Sequence, residues 1–277
     1  MTITEQSAFG NLMRFWRKIR DKTQEDLAHG LGFSTRHISF IETGKSRPSE
    51  VLVDALAEEL NLGERDKCYL RLSAGYLTKG QSLDLHSPNY KWLRKAMLLS
   101  LKAMDPNPSS LMDRYGNLLM VNRSWVSFHQ DVYSKNDLDN VKNHYELLFT
   151  RPRSSKASNQ WKNTLAVILM STQQEALLTN DPAYFAMVRE LSSLPDVPVD
   201  WQQSASKREP MTSYRVELEY QGEVRNFYSV SLMVGALGPA SFASDPNLAL
   251  NTLYPVEDHT TFHEGNSENI KHPLLFY

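Results

Sequence analysis

Apolar residues in the first quarter of the chain recur at intervals of three and four, the spacing of one face of a helix. Phe9, Leu12, Met13 and Trp16 predict a helix over residues 7–20. Leu27, Ala28 and Leu31 predict a second helix, Ile38 and Ile41 a third, and only Gly32, Phe33 and Ser34 separate the two. Gly32 takes positive φ cheaply, so the chain can turn sharply there. Ala28 is small where two crossing helices must approach closely. Ser34 or Thr35 suits an N-cap for the third helix, and Gly44 suits its end. Pro48-Ser49-Glu50 starts a fourth helix with Val51, Leu52, Ala55, Leu56 and Leu60 on its stripe. Residues 64–76 predict a fifth, with Cys68, Tyr69, Leu72 and Tyr76 inward.

The pattern then changes. Residues 78–88 lack periodicity and predict a linker. Residues 89–104 are helical again, and Trp92, Leu93, Ala96, Met97, Leu99 and Leu101 form a stripe broad enough for two roles. This helix can open the second domain or serve as a dimer contact. Two short strand-like runs flank Tyr115-Gly116-Asn117, a hairpin signal with Leu111, Leu118 and Met120 inward. Residues 124–130 turn helical on Trp125 and Phe128, and longer helices follow over 159–178 and 181–194. Residues 212–220 alternate as a strand, Gln221-Gly222-Glu223 is a turn, and 224–234 is a second strand with Phe227, Val230 and Leu232 inward. A last strand covers 248–257. The tail from His259 is polar and ends in HPLLFY, an apolar end that docks on a neighbour or stays disordered. The expected architecture is an all-α N-terminal domain of five helices (1–77), a linker (78–88), an α+β domain with an antiparallel sheet of about five strands (89–258), and a polar C-terminal tail (259–277).

Composition narrows the function. A chain of 277 residues suits two domains, and a hydrophobic fraction of 41% supports packed cores. The net charge is −2, but residues 1–47 hold eight Lys or Arg against five acids. That modest positive balance suits a polyanion bound by two copies together. A lone Cys68 excludes intramolecular disulfides and a cysteine zinc site, and among apolar neighbours it predicts a buried structural thiol. The N-terminus has no signal-like apolar stretch and no run is long enough to span a membrane, so a cytoplasmic protein is expected. His259 and His263 stand at i and i+4 with Glu264 beside them, but in a polar tail with Gly265 they predict a solvated segment, and no metal is expected. A glycine-rich phosphate loop, a G-x-S-x-G motif and any acid–base or nucleophile grouping are missing, so no enzyme is expected.

The third helix offers a recognisable polar face. With Ile38 and Ile41 inward, Thr35, Arg36, Ser39 and Phe40 point outward or along the rim. Arg36 can fork onto guanine, Thr35 and Ser39 can bond a base edge or phosphate, and Phe40 can touch a thymine methyl. Gln24 opens the second helix, where its amide and free backbone N–H groups can hold a phosphate. Lys45 and Arg47 follow the third helix as phosphate contacts, and His37 sits at the rim. The order TQEDLA, G, STRHISFIE, TGKSRPS resembles the lambda-repressor-like, Xre-type helix-turn-helix family over about residues 7–76. STRHISFIETGKSRPS is similar to the MmyB-like branch of bacterial regulators. The resemblance implies groove readers at Thr35, Arg36, Ser39 and Phe40, a phosphate-contacting Gln24, and a buried pair of Arg17 and Glu42.

In the second half, DRYGNLLMVNRSW resembles the opening of a PAS-type sensor domain, a curved antiparallel sheet with short helices over one face. It also resembles the ligand-binding half of MmyB-like regulators, as does YELLFT; Asn122 and Trp125 belong to that likeness. Large apolar side chains gather there, and they read either as a filled core or as a closed cavity for a small lipophilic ligand. The candidate pocket residues are Met120, Trp125, Phe128, Phe149, Arg151, Trp161, Leu165 and Phe227, with Arg151 or Arg153 meeting a carboxylate head. The resemblance implies a fatty acid or similar lipophilic effector, and no obligatory cofactor is expected. PAS-like domains also host haem or flavin, but no His or Cys is placed persuasively for haem. The chain thus reads as a sequence-specific regulator of double-stranded DNA, a homodimer on a two-fold site, sensing a lipophilic effector. The alternative is a DNA-binding regulator whose second half is only a dimerisation or protein-partner platform.

Overall fold

The computed structural model describes residues 8–76, 84–150, 159–208, 215–234, 248–257, 262 and 270–277. The chain forms two compact units, one within residues 1–82 and one from residues 83–234 and 248–277. The first unit contains α1 (Ala8–Ile19), α2 (Gln24–Leu31), α3 (Thr35–Glu42), α4 (Glu50–Glu59) and α5 (Glu64–Ser73). Local chemistry sets the boundaries. Thr23 and Asp26 exchange side chain and backbone hydrogen bonds as a capping box at α2. Gly32 ends α2 at φ 69°, and Ser34 accepts from the His37 N–H to start α3. Phe9, Met13, Leu27, Ala28, Ile38, Ile41, Leu56 and Leu60 form one core. In α5 the buried positions are Cys68, Leu70 and Ala74, while Tyr69, Leu72 and Tyr76 are half-buried. Tyr76 stays near the rim because its hydroxyl donates to the Pro48 carbonyl at 2.8 Å.

The second unit opens with a 3-10 turn (Pro88–Tyr90) and α6 (Lys91–Met104), followed by β1 (Ser109–Met112) and β2 (Leu118–Val121). Six helices follow: α7 (Arg123–Gln130), α8 (Lys135–Asn140), α9 (His144–Phe149), α10 (Asn159–Thr179), α11 (Pro182–Ser192) and α12 (Trp201–Ser206). The chain then returns to the sheet with β3 (Arg215–Tyr220), β4 (Glu223–Val234) and β5 (Leu248–Pro255). The five strands are antiparallel in the order β2-β1-β5-β4-β3. An α+β domain with a five-stranded antiparallel sheet is what the sequence called for, but helices stand on both of its faces, where short helices over one face were expected. The short helices α8, α9 and α12 were not foreseen, because six residues carry too little periodicity to see.

Side-chain parity divides the sheet into two faces. Val216 pairs with Phe227 on the inner face, against α10. Leu111 pairs with Met120 and Leu250, and Leu250 with Leu232, on the outer face. α6 covers part of that outer face with Leu93, Met97, Leu101 and Met104. The expected inward set of Phe227, Val230 and Leu232 therefore splits. Phe227 is inner, whereas Val230 and Leu232 are outer, and Leu232 is exposed. The physical reason is polar: Asn251, buried on the inner face, donates from Nδ2 to Ser229 and Ser231, both at 3.0 Å. These serines take the inner positions on either side of Val230 and leave Val230 and Leu232 outside.

The apolar end of the chain is seated on its own domain. The Leu274 carbonyl accepts from Val121 N–H on the edge strand β2, and Ile270, Leu274 and Leu275 pack beside Trp125 and Leu138. Tyr277 donates to Asp105 at 2.9 Å, with Lys102 and Arg123 over its ring. Covering an edge strand in this way blunts unwanted strand pairing. Among the described residues no helix is long and apolar enough to cross a membrane.

One close approach fixes the first unit. A Cβ added at Gly10 of α1 would lie 2.2 Å from the Glu42 carbonyl oxygen at the end of α3. Gly10→Ala is therefore expected to force the helices apart and to lower stability by about 1 to 3 kcal/mol or more. Urea unfolding of the full chain followed by circular dichroism tests this, and an unchanged midpoint would refute it.

Candidate functional site

The α3 helix presents its polar face as expected from the spacing. Ile38 and Ile41 are buried, Thr35 and Arg36 are exposed, and His37, Ser39 and Phe40 are half-buried. Arg36 lies 5.1 Å from the Phe40 ring centroid, and Lys45 lies 5.7 Å from the same ring. Arg36, Phe40 and Lys45 thus make a cation–aromatic–cation stack along the outer edge of α3. At the other end of the helix, Phe33 stacks on His37 at 5.1 Å, a contact that the sequence pattern did not bring out. Arg47 follows α3 but donates to the Ala74 carbonyl at 3.3 Å and lies over Tyr76, so a phosphate would compete with those contacts.

Below this face sits Glu42, the last residue of α3, with its side chain wholly buried. Arg17 donates through Nε to one carboxylate oxygen at 2.5 Å and through Nη2 to the other at 3.3 Å. Arg14 adds a longer bond at 3.4 Å, and Gln24 donates at 2.8 Å. Burial pushes the Glu42 carboxyl up, but the bonds from Arg17 and Gln24, the Arg17 charge and the Arg14 bond outweigh it and hold the carboxyl below its usual range. A carboxyl depressed on folding stabilises the unit at neutral pH, and that contribution fades only as pH falls through the lowered value. The pair of Arg17 and Glu42 implied by the family resemblance is thus present. Gln24, expected at a phosphate, stands at the start of α2 with its amide engaged by Glu42. Sequence spacing does not reveal this bond, because Gln24 and Glu42 are far apart along the chain.

The candidate pocket residues do not gather as one set. Phe128, Phe149, Trp161, Leu165 and Phe227 share one core between the inner sheet face and the helices. Trp125 belongs to a neighbouring cluster with Leu118, Val126, Leu138 and Leu147. Met120 is the correction. It lies on the outer face under α6 with Leu111 and Leu250, and the sheet itself separates it from Phe227. Strand parity decides this, and a hairpin read alone does not say which face meets the helices. Arg151 and Arg153 lie outside the described residues, as do His259 and His263. The core also contains ring contacts that the strand alternation, which put Tyr220 on the side of Val216 and Leu218, did not bring out. Phe128 stacks on Tyr220 at 5.2 Å, and Phe227 stacks on Phe262 at 5.6 Å. A separate surface groove of about 360 Å³, lined by residues including Tyr133, Asp137, Glu146 and Leu147, contains none of the expected residues.

Asn122, part of the motif shared with the MmyB-like branch, ties this domain together. Its Oδ1 accepts from the Trp125 and Ser109 N–H groups, both at 2.9 Å, so it caps α7 and holds β1 at once. At the hairpin turn, Tyr115 donates to Asp181 at 2.7 Å and Tyr184 donates to the Arg114 carbonyl at 2.8 Å. The Arg114 guanidinium lies over both rings. Burial, then the bond to Asp181, pushes the Tyr115 hydroxyl up to about 12. Among the described residues no group of three or more His, Cys, Asp or Glu could hold a metal ion.

An exposed polar helix on a buried ionic hub, followed by an α+β sensor-type domain, defines a ligand-sensing transcription regulator of the helix-turn-helix class. Residues 13–66 match a helix-turn-helix family, and residues 93–239 match the MmyB-like transcription regulator ligand binding domain. The second match covers more than half of the chain, which belongs to the MmyB-like transcription regulators. No curated protein matches it. The N-terminal domain is a DNA-binding domain, and the C-terminal domain is the part that takes a small-molecule effector.

One buried group in that second domain titrates in an accessible range. Nδ1 of His144, at the start of α9, is sealed from water with no hydrogen-bond partner among the described residues. Burial lowers the His144 value from 6.5 to about 4. The unfolded chain then binds the proton more tightly, so stability is full above the unfolded value and falls as pH drops toward the folded one. Between about pH 7 and pH 5 the loss from this residue is about 2 kcal/mol. Urea midpoints at the two pH values, compared with those of His144→Phe, check this. An equal acid sensitivity in that variant would assign the loss to other groups.

Proposed function

We propose that this regulator grips a two-fold DNA site as a homodimer, with Thr35, Arg36, Ser39 and Phe40 at the bases, and that a fatty acid or similar lipophilic molecule in its C-terminal domain alters the grip. The observation that carries the DNA part is the Arg36–Phe40–Lys45 stack on an exposed helix whose far side is locked by Glu42. A forked guanidinium beside an aromatic ring suits a guanine next to a thymine methyl. Lys45 and Arg47, with His37 at the rim, supply positive charge for the phosphates. One eight-residue recognition helix with a small positive balance reaches few phosphates, which favours two copies on half-sites about one helical turn, ~34 Å, apart.

The effector part is supported by the apolar shell between sheet and helices, where Phe128, Phe149, Trp161, Leu165 and Phe227 meet. Arg151 and Arg153 are the cations proposed for a carboxylate head. The helix of residues 89–104 follows the linker of residues 78–88 and is the proposed carrier of the signal. A ligand alters DNA binding only by preferring one of two arrangements of the protein. A second reading keeps the DNA grip but makes the C-terminal domain a protein platform. The interlocking of Phe128, Tyr220, Phe227 and Phe262 favours it, since these rings fill space that a ligand would need.

Denaturing extraction of the purified protein followed by mass spectrometry separates the two. A stoichiometric fatty acid is expected, and its loss from Arg151→Ala or Arg153→Ala protein would identify the head contact. An empty extract together with no shift in melting temperature on adding long-chain fatty acids would favour the platform. For the DNA grip, Arg36→Ala is expected to weaken binding by about 1 to 3 kcal/mol and to relax base choice at one position. Uniform weakening on every sequence would make Arg36 a phosphate contact instead.

A further inference from the structure

The sheet of the second unit is covered unevenly. α6 packs over β1, β2 and β5 on the outer face and reaches β4 only at Val234. Beyond β5 the same face continues onto β4 and β3, where Val224, Tyr228 and Leu232 stand exposed and Asn226 and Val230 half-buried. Leu232 sits beside Leu250, Tyr228 beside Tyr254 and Val224 beside Glu219. Leu232, Tyr228 and Val224 are 50%, 46% and 64% exposed. β4 thus puts Ser229 and Ser231 on the inner parity, bonded to Asn251, and Tyr228, Val230 and Leu232 on the outer one, with Asn226 and Val224 further along that outer row. α6 has a matching excess. Besides the stripe that it buries, Trp92, Ala96, Leu99 and Ala103 recur at i, i+4, i+7 and i+11, and all four are exposed. Trp92 is 75% and Leu99 55% exposed, with Lys91 over the Trp92 ring.

Exposed contiguous apolar rows mark interaction surfaces, and an open sheet face is normally closed by a helix. Here one domain carries an exposed row of apolar strand residues and an exposed apolar helix stripe. We propose that a second copy of this chain covers both. Around a two-fold axis, each copy's α6 lays Trp92, Ala96, Leu99 and Ala103 on the other's β4 row of Val224, Tyr228 and Leu232. Such a contact is self-complementary and closed, as a two-fold dimer requires. Charge agrees with this occupant. α6 carries Lys91, Arg94, Lys95 and Lys102 and no acid, and the outward residues of β4 carry no charge. β3 brings Glu217 and Glu219 to the open face, with Arg215 at its start. An acidic rim on an apolar face suits a basic helix and opposes nucleic acid. The inference rests on the homodimer proposed above and assigns its surface.

Sedimentation velocity on the full chain without DNA tests it, with Leu99→Lys on α6 and Leu232→Glu on β4. Leu178→Glu, 69% exposed at the end of α10, is the control. The wild type and the control are expected to be dimers. Each α6 or β4 variant is expected to be a monomer at tenfold higher concentration, with an unchanged circular dichroism spectrum. Tyr228→Glu serves in place of Leu232→Glu if the latter loses that spectrum. Mixing the Leu99→Lys and Leu232→Glu proteins is expected to restore dimers, because the mixed pair keeps one native contact and gains a lysine–glutamate pair at the other. A monomeric wild type would refute the homodimer itself. A dimer unaffected by both variants would refute only this surface. Two monomeric variants that fail to associate on mixing would show that each surface meets its own copy, or another protein, and would overturn the exchange.

Discussion

A carboxylate sealed from water at the last residue of α3 governs how the first unit is assembled. Buried charge is tolerated only when it is paired and fully hydrogen-bonded, and Glu42 recruits Arg14 and Arg17 from α1 and Gln24 from α2. Its position adds a demand, because a negative charge at a helix C-terminus opposes the helix dipole. Two arginines answer that demand. Their reach in turn requires α1 to approach the α3 backbone so closely that only glycine fits at position 10. Replacing such a pair with apolar residues often changes stability little, so its main effect is to fix geometry. Here the geometry fixed is the pitch and roll of α3, and with it the direction in which Arg36, Phe40 and Lys45 face. A buried side chain thereby sets how the exposed face of α3 is presented.

The second unit obeys a different constraint, the period of two along its strands. β4 shows it most clearly. Asn251 needs partners for its buried amide, and Ser229 and Ser231 supply them on the inner face. Once those positions are polar, parity sends Val230 and Leu232 outward. The inner face is then apolar around Val216, Leu218 and Phe227 and polar near Asn251, while the outer face is apolar around Leu111, Met120 and Leu250 and acidic along β3 at Glu217 and Glu219. Helix α6 seals one half of that outer face.

Much of this was legible in the chain itself. Helix periodicity located α1 to α4, α6, α10 and α11 closely, and Gly32, Ser34 and Gly44 marked the turn and ends of α3 where the backbone needed them. Alternation found β3, and the turn residues Gln221 and Gly222 found the hairpin to β4. The rest depended on long-range partners. Gln24 looks like a free amide until Glu42 is brought to it. Met120 looks like a neighbour of Phe227 until the sheet is assembled with one on each face. Leu232 reads as core on hydrophobicity alone, because nothing local says that two serines are wanted inside. Tyr220 and Phe262 join one aromatic cluster across more than forty residues. The apolar end of the chain was open between docking and disorder, and its partners at Val121, Leu138 and Asp105 are remote in sequence.

These constraints meet at β5. Its inner residue Leu253 packs in the aromatic core, and its outer residues Leu248 and Leu250 pack under α6. A strand that alternates faces cannot move one set of side chains without moving the other. Any molecule that enlarges or tightens the inner core therefore acts on the seat of α6, the first long helix of the second unit. Close-packed layers respond to such a push by adopting a second arrangement and not by deforming continuously. An effector is then effective to the extent that it binds more tightly to one arrangement than to the other. In the proposed mechanism the sheet transmits the change, with the inner core and the outer helix as its two ends.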